Sequence, residues 1–213
     1  MSIKHPFICD FIEAFRTQKY LHFVLEFCPV GELFFHLSRI KQFSEDDARI
    51  IIAEIILALE HLHAHSIMYR DLKPENILVD LHGHVKLTDF GLCRHLRNPK
   101  TDFSRSLCGS PEYVSPEMLR TGKHSRMVDF YQVGALLYEL ITGLPPLYHE
   151  DKREMFDRIA NDQPSMPTYL SETVRDLLTR LLNKEPTERL GYEEGFAEVK
   201  RQAFFNKIDW EAL

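Results

Sequence analysis

The sequence predicts an α+β fold that is mainly α-helical. Three long segments carry apolar residues at helical spacing, whereas the segments with strand character are short and occur in two pairs. The chain has 213 residues, of which 44% are hydrophobic, so it can bury a sizeable core. Its length is compatible with one or two domains.

The two strand pairs are predicted at residues 8–15 with 21–27 and at residues 77–79 with 85–88. Aromatic and branched side chains, which favour strands, dominate the first pair. The second pair encloses a five-residue turn that contains Gly83, as is typical of connections that close hairpins. Both pairs are therefore expected to be hairpins.

Three helices are predicted from their caps and their periodicity. The first begins after Ser44, because Ser44 and Asp47 form a capping box. Residues 128–141 are apolar nearly all round, which indicates a helix buried on every side. The third helix begins at Ser171 and has one apolar face. The apolar positions of the first and third helices are Ile51, Ile52, Ile55, Ile56, Leu59 and Leu62, and Val174, Leu177, Leu178, Leu181 and Leu182.

Composition excludes several classes of function. The net charge is −6 and no block is rich in Lys or Arg, which argues against nucleic acid or an anionic membrane as the main partner. The acidic balance is compatible with basic peptides. The longest apolar stretch, residues 50–59, is interrupted by Glu54 and is too short to span a bilayer. We therefore expect no direct membrane insertion.

The four cysteines form no C-x-x-C pair, and the first residues do not resemble a signal peptide. A reducing, cytoplasmic location is expected, with the nucleus as an alternative. His61, His63 and His65 suggest a metal site at first sight. Residues two apart on a helix do not face each other, so a polar helix end is the favoured interpretation.

Residues 69–76, Tyr-Arg-Asp-Leu-Lys-Pro-Glu-Asn, have residue types suited to phosphoryl transfer. The transition state of that reaction spreads negative charge over the transferred oxygens and requires a cation and a group that orients the hydroxyl nucleophile. Asp71 fits the second role, as acceptor of the hydroxyl proton. Lys73 can reach the same phosphate as a point charge.

Asn76 and Asp89 supply hard oxygen ligands, which suit Mg²⁺ because that ion takes only one or two protein groups alongside phosphates. The predicted hairpin between them brings both to the same end. Any single Asp is by default a solvated turn residue. The joint occurrence of these residues, with Asp89 in the run Asp-Phe-Gly, favours chemistry.

These two runs resemble the catalytic loop and the metal-binding loop of eukaryotic protein kinases, H-R-D-L-x-x-x-N and D-F-G. Tyr69 stands where that pattern has His, and this form is seen in the AGC group of serine/threonine kinases, such as protein kinase B and the serum- and glucocorticoid-induced kinases. The resemblance implies a protein kinase that uses ATP and Mg²⁺ to phosphorylate Ser or Thr in proteins.

The resemblance also implies a protein-kinase-like fold, with a C-terminal lobe and a remnant β-hairpin of the N-terminal lobe. Residues 1–28 would be a partial N-terminal lobe, comprising the end of helix C, two strands and the hinge. Residues 29–209 would form the C-terminal lobe, and residues 210–213 would start the C-terminal tail of AGC kinases.

Nucleotide-binding residues follow from the same resemblance. Residues 26–28 would be the hinge that hydrogen-bonds adenine through its backbone, and Leu25 would guard the pocket behind it. Leu78 would form the floor of the adenine pocket. The implied set comprises Glu26, Cys28, Glu32, Lys73, Glu75, Asn76, Leu78, Thr88 and Asp89.

Residues 108–117 resemble the substrate-binding loop of AGC kinases. Ser110 would bridge Asp71 and Lys73, as a third catalytic residue. Further along, Glu117 would form a buried structural ion pair with Arg189 rather than act in catalysis. Asp129 would anchor the catalytic-loop backbone from the buried helix.

Ser106 occupies the position that carries the activating phosphate in AGC kinases, so an upstream activating kinase is an expected partner. Arg70 and Arg94 could clamp such a phosphate. The alternative is that Ser104 and Ser106 are ordinary loop serines.

Protein or peptide substrates with basic residues are expected. The carboxylates of Glu32, Glu75 and Glu139 match positions that meet substrate arginines in basophilic AGC kinases, although each could instead be solvated or satisfied internally. The residue after the phosphoacceptor would enter an apolar pocket formed by Leu107, Pro111 and Val114.

Two parts of the kinase pattern are absent from this sequence, the glycine-rich loop and the third-strand Lys paired to a helix Glu. Two explanations compete, a fragment or truncated gene model of a complete kinase and a catalytically dead, pseudokinase-type binding module. A lone hairpin is marginal in water, which favours the first. A small-molecule phosphotransferase is a third class, but it has no use for a peptide-binding segment.

Overall fold

The computed structural model describes residues 3–97, 103–106 and 108–213. Leu107, which was predicted to line the peptide pocket, lies outside the described residues. Helices dominate, and the predicted class, α+β and mainly α, is confirmed. The α-helices are α1 (Leu33–Ile40), α2 (Glu45–Ala64), α3 (Pro116–Thr121), α4 (Met127–Thr142), α5 (Lys152–Asn161), α6 (Glu172–Leu181) and α7 (Phe196–Lys200).

The strands are short and form three small antiparallel sheets. Strand β1 pairs with β2, β5 lies between β3 and β6, and β4 pairs with β7. The strands are β1 (Phe11–Arg16), β2 (Leu21–Leu25), β3 (Gly31–Glu32), β4 (Ile67–Met68), β5 (Ile77–Val79), β6 (Val85–Leu87) and β7 (Arg94–His95). Both predicted hairpins, β1–β2 and β5–β6, are therefore present.

One hydrophobic core joins α2, α4 and α6. Helix α2 begins where the capping box predicted, because the Ser44 hydroxyl accepts a hydrogen bond from the backbone N–H of Asp47 at 3.1 Å. The Ser171 hydroxyl caps α6 through the N–H of Val174 in the same way. Helix α4 is buried along nearly its whole length, and each large apolar side chain it buries stabilises the fold by roughly 1.5–3 kcal/mol.

The amino-terminal segment differs from expectation. The end of a helix was predicted at the start of residues 1–28, but residues 3–10 contain no α-helix; the N–H of Ile8 donates to the carbonyl of His5 at 3.1 Å and closes a single turn. Pro6 disfavours helical backbone in the residue before it. The segment instead runs beside β6, where the N–H of Cys9 donates to the carbonyl of Leu87 at 2.8 Å and the N–H of Leu87 donates to Phe7 at 2.9 Å.

The β1–β2 hairpin has exposed apolar side chains along both strands. In the described part of the chain it pairs with no third strand. A two-stranded hairpin of this kind is marginally stable by itself. Its exposed large side chains are Phe11, Ile12, Phe15, Leu21, Phe23 and Leu25. Among the described residues, no helix is long and apolar enough to cross a membrane.

The predicted ion pair between Glu117 and Arg189 is present and buried. The guanidinium donates from Nη1 to Oε1 and from Nη2 to Oε2 of Glu117, each at 2.8 Å. It also donates to the carbonyl of Met127 at 2.7 Å and to that of Asn183 at 3.0 Å. These four bonds join α3, the start of α4 and the segment after α6.

Candidate active site

The catalytic loop, residues 69–76, is held by Asp129 of α4. The backbone N–H groups of Tyr69 and Arg70 donate to the Asp129 carboxylate at 3.0 and 2.8 Å. Asp129 is completely buried, so its oxygens require such donors. Arg70 has a φ of 73°, which is uncommon for a residue other than glycine, and these bonds hold it in that conformation.

Two further residues support the loop, and sequence reasoning assigned no role to them. Gln132 donates from Nε2 to the carbonyl of Arg70 at 2.9 Å and accepts from the N–H of Leu72 at 3.2 Å. His63 pairs through Nε2 with Asp129 at 2.6 Å. A signal existed for Gln132, because it lies three residues after Asp129 on an otherwise apolar helix and therefore on the same face.

Asp71 lies at the centre of a network that includes Lys73, Asn76 and Ser110. Its Oδ1 accepts hydrogen bonds from the backbone N–H and the hydroxyl of Ser110, at 3.0 and 3.2 Å. Its Oδ2 accepts from the Asn76 amide at 2.8 Å and lies 3.5 Å from Nζ of Lys73. Lys73 also donates to the Ser110 hydroxyl at 2.8 Å. Ser110 thus bridges Asp71 and Lys73, and the carboxylate is held in one orientation.

Gly109 permits the close approach of the peptide-binding segment, residues 108–117, to the catalytic loop. Its φ is +93°, and a Cβ at this position would lie 2.9 Å from the carbonyl oxygen of Arg70. Any other residue would therefore be strained and would push the segment away from the loop. The glycine thereby allows Ser110 to reach Asp71.

Asn76 and Asp89 fit the requirements of a magnesium site. Both donors of the Asn76 amide contact Asp71, at Oδ2 and at the backbone carbonyl, which leaves the amide oxygen for a cation. The N–H of Thr88 donates to the carbonyl of Asn76 at 3.0 Å, so the hairpin brings the two ligands to one end as predicted. Asp89 has a φ of 51° and accepts from the N–H of Gly91 with one oxygen, so the other remains available. Mg²⁺ bound by these oxygens would neutralise phosphate charge.

The segment expected to bind adenine has a free donor. Among the described residues, the N–H of Cys28 donates to no acceptor, whereas the carbonyl of Glu26 accepts a weak bond from the Cys9 thiol at 3.5 Å. The Glu26 side chain pairs with Lys86 at 3.0 Å, so the predicted contact of Glu26 with adenine would have to come from its backbone. Burial raises the pKa of the Cys28 thiol to about 11, so it stays protonated.

Two further predicted nucleotide-binding residues lie on neighbouring strands. Glu32 of β3 pairs in register with Leu78 of β5, so the predicted floor of the adenine pocket lies next to Glu32. Thr88 accepts a hydrogen bond at its carbonyl from the Tyr69 hydroxyl. Tyr69, in place of the commoner His, thus ties the catalytic loop to the metal-binding loop.

A cavity of about 410 Å³ lies between α1, the peptide-binding segment and the end of α4. Glu75, Glu112 and Glu139 contribute three carboxyl groups to it. Glu139 is buried and accepts a hydrogen bond from the Tyr113 hydroxyl. Burial, followed by the charges of Glu75 and Glu112, raises the pKa of Glu139 to about 8. The cavity is therefore suited to a cationic side chain.

The other residues predicted to contact the peptide do not all lie in this cavity. Pro111, which was predicted to line a separate apolar pocket for the residue after the phosphoacceptor, lines this acidic cavity, whereas Glu32 does not. Val114 is only 2% exposed and packs with Met118 and Val128 in a second small core. As a correction, Val114 is a core residue and does not line an open pocket.

Ser106 is exposed and lies beside Arg70, whose Nη1 donates to its hydroxyl at 3.0 Å. Ser104 is completely buried, and its hydroxyl accepts from Arg70 at 2.9 Å and from Arg94 at 3.0 Å. Strand β7 places Arg94 here by pairing it with Met68 of β4, directly before the catalytic loop. The structure thus brings Ser106 and both predicted arginines together.

Two of the histidines at the end of α2, His61 and His65, contact each other with ring centroids 4.5 Å apart, whereas His63 does not join them. The ring of His65 pairs with the carbonyl of His61 at 2.8 Å, whereas His63 faces Asp129. In residues 3–97, 103–106 and 108–213, no three His, Cys, Asp or Glu side chains are grouped so that they could hold a metal ion.

Comparison with known proteins identifies the family. The model of the protein kinase domain matches residues 1–205. The chain is 44% identical to a RAC family serine/threonine-protein kinase homolog of Dictyostelium discoideum, over 100% of the chain and 47% of that protein. It is also 44% identical to the serine/threonine-protein kinase Sgk2 of Homo sapiens, over 100% of the chain and 58% of that protein. The chain thus spans about half the length of the curated relatives it matches.

Proposed function

The chain belongs to the protein kinase family, among serine/threonine kinases of the AGC group, and we propose that it transfers the γ-phosphoryl group of ATP to Ser or Thr hydroxyls of proteins. The Asp71 network supports this proposal most directly. Asp71 would accept the hydroxyl proton, Lys73 would neutralise the transferred phosphoryl group, and Asn76 and Asp89 would hold Mg²⁺. We also propose a reducing cytoplasmic location, with which four free cysteines are compatible.

The first experiment compares residues 1–213 alone with a chimera that adds a protein-kinase N-terminal lobe carrying the glycine-rich loop and its lysine. Residues 1–213 alone are expected to bind ATP weakly and to turn over far below the ~1–100 per second typical of kinases, because no glycine covers the phosphates. The chimera is expected to recover transfer. If the chimera binds ATP but phosphorylates no peptide, the alternative of a catalytically dead binding module is correct.

We propose that phosphorylation of Ser106 by an upstream kinase activates the protein. The added charge of about −1.5 to −2 would be clamped by Arg70 and Arg94 and would order the segment against Asp71. Ser106→Ala in the chimera is expected to abolish the activation that the upstream kinase produces. Phosphate mapping on protein from its native cell checks the site, and Ser165→Ala, at an exposed position away from the cluster, provides a control. Undiminished activity of Ser106→Ala would exclude the switch.

We also propose that the substrate carries Arg two or three residues before the phosphoacceptor. Glu75 and Glu139 line one cavity, and each partly desolvated contact between Arg and a carboxylate should contribute ~1.5–3 kcal/mol. A positional-scanning peptide library on the chimera is expected to select Arg there ten- to hundredfold. Glu75→Ala with Glu139→Ala should flatten the selection at the nearer position.

The pKa of Glu139 adds a pH dependence to this preference. Its carboxyl is mostly protonated at pH 7 without a ligand, and Arg prefers the carboxylate, so selection of Arg should strengthen as the pH rises through about 8. Glu139→Gln should remove that rise. A double replacement of exposed carboxylates, Glu188→Ala with Glu193→Ala, is the control. Selection of proline after the acceptor, or of acidic residues around it, would contradict the proposal.

A further inference from the structure

Two guanidinium groups converge on one buried hydroxyl beside the catalytic loop. Nη1 of Arg70 and Nη1 of Arg94 lie 2.9 and 3.0 Å from Oγ of Ser104, which is fully buried. Neither arginine has an ion pair with a carboxylate in the part of the chain that the structure describes. Arg70 is only 7% exposed, and a buried cation without a counter-ion is costly. This place is therefore suited to an anion.

His124 also lies at the site formed by Arg70, Arg94 and Ser104. It is 1% exposed, and its backbone N–H and C=O pair with those of Ser104 at 3.0 and 2.8 Å. Nε2 of its ring lies 3.4 Å from Nη1 of Arg70, and Nδ1 has no hydrogen-bond partner among the described residues. A buried polar atom without a partner requires an explanation, and an ion that binds beside it is one.

The charges around His124 explain why its ring is neutral here. Burial first, and then the charge of Arg70, lower the pKa of His124 to about 4. Arg94 acts in the same direction. Glu117 and Asp129, which face the ring from α3 and α4, raise the pKa but do not outweigh these effects. A dianion placed among the cations would reverse the sign of the local field.

We propose that His124 joins Arg70 and Arg94 in binding the phosphate of phosphorylated Ser106, and that His124 takes up a proton when the phosphate enters. This inference rests on the proposed Ser106 switch. In that reaction a bond forms between Oγ of Ser106 and the γ-phosphorus of ATP, the bond to ADP breaks, and the hydroxyl proton leaves. His124 takes its own proton from solvent.

Position favours Ser106 over Ser104 as the modified residue. Ser106 is exposed, whereas Ser104 is fully buried and cannot reach another kinase. The Oγ atoms of the two serines are 3.1 Å apart, so a phosphate on Ser106 can take the place of the Ser104 hydroxyl between the guanidinium groups. His124 then becomes a third cationic ligand, and its protonated ring has two donors to offer.

The sign of the resulting pH dependence follows from linkage. The phosphate raises the pKa of His124 above its value in the unphosphorylated protein, so the phosphorylated form binds the extra proton more tightly. The stabilisation by phosphate is then greater at low pH and is lost as the pH rises through the raised pKa. The second ionisation of the phosphate, near pH 6, sets the lower limit of this window.

The experiment uses residues 1–213 with phosphoserine incorporated genetically at position 106. We expect the rise in melting temperature on phosphorylation to be larger at pH 6.5 than at pH 8.5, and the pKa of the His124 ring, followed by NMR, to rise from about 4 to about 7. His124→Gln and His124→Phe should abolish the difference between the two pH values. His82→Gln, which replaces an exposed histidine, is the matched control.

Two outcomes separate this inference from the switch on which it rests. If phosphorylation stabilises the chain through Arg70, as judged by Arg70→Ala, but equally at both pH values and with no shift of the His124 pKa, only the role of His124 is wrong. If phosphorylation stabilises nothing and Arg70→Ala has no effect on the phosphorylated form, the switch itself is wrong. The NMR titration decides the role of His124 even if its variants fail to fold.

Discussion

Asp71→Asn in the chimera is expected to reduce phosphoryl transfer about 10²- to 10⁴-fold while leaving ATP affinity unchanged, because an amide cannot accept the hydroxyl proton. The replacement preserves shape, and its oxygen can still accept a hydrogen bond from Ser110 or Asn76. Single-turnover transfer to a peptide, with nucleotide binding measured in parallel, tests this. Reduced ATP affinity with unchanged transfer would exclude Asp71 as the proton acceptor.

Two other replacements serve as comparisons for Asp71→Asn. Asp89→Ala should weaken binding of the magnesium nucleotide itself, since it removes the proposed ligand of the cation rather than the proposed proton acceptor. Asp157→Asn, at an exposed position of α5, should change neither quantity and controls for the loss of one negative charge. Melting temperatures separate these effects from misfolding. If Asp71→Asn, Asp89→Ala and Asp157→Asn lose activity to the same extent and their melting temperatures fall equally, misfolding is the cause.

Local signals predicted most of the fold. Ser44 and Ser171 begin α2 and α6 because a capping hydroxyl satisfies a donor only three residues away, so the sequence itself contains both partners. Residues 8–10 were predicted to belong to the first strand, yet β1 begins at Phe11. Residues 8–10 are extended, as predicted, but they lie beside Leu87 of β6 and not in β1. That pairing is a tertiary contact, which the periodicity of the sequence does not predict.

In the candidate site, too, some features could be predicted from the sequence and others could not. Asp71, Lys73 and Asn76 could be predicted together because they are adjacent in the chain and one hairpin brings Asp89 to them. The raised pKa of Glu139 could not, because it depends on burial and on carboxylates that arrive from other segments. An apolar residue such as Val114 could line a pocket or belong to the core. Only the packing in the structure shows that it belongs to the core.

Arg189→Ala is expected to destabilise the protein by roughly 3–5 kcal/mol, because Glu117 would keep a buried charge without a partner. Burial alone would raise the pKa of Glu117, but the hydrogen bonds and charge of Arg189 lower it below the usual value of 4.5. The carbonyl of Met127 would also lose its donor. Urea unfolding at pH 7 measures the loss. Arg120→Ala, which breaks an exposed pair with Glu185, should cost only about 0–1 kcal/mol.

The pH dependence of that loss identifies its cause. The stability contributed by the ion pair is fully present above the pKa of Glu117 in the unfolded chain and is lost as the pH falls through the lower folded value. The difference between the unsubstituted protein and Arg189→Ala should therefore shrink as the pH falls from the raised pKa that burial gives Glu117 in the variant to its lowered pKa in the unsubstituted protein. A loss caused by packing against Tyr131 would not change with pH. Replacing both partners, Glu117→Leu with Arg189→Met, should restore much of the stability, because no uncompensated charge remains. A double replacement as unstable as Arg189→Ala would show that shape, and not charge, makes this pair necessary.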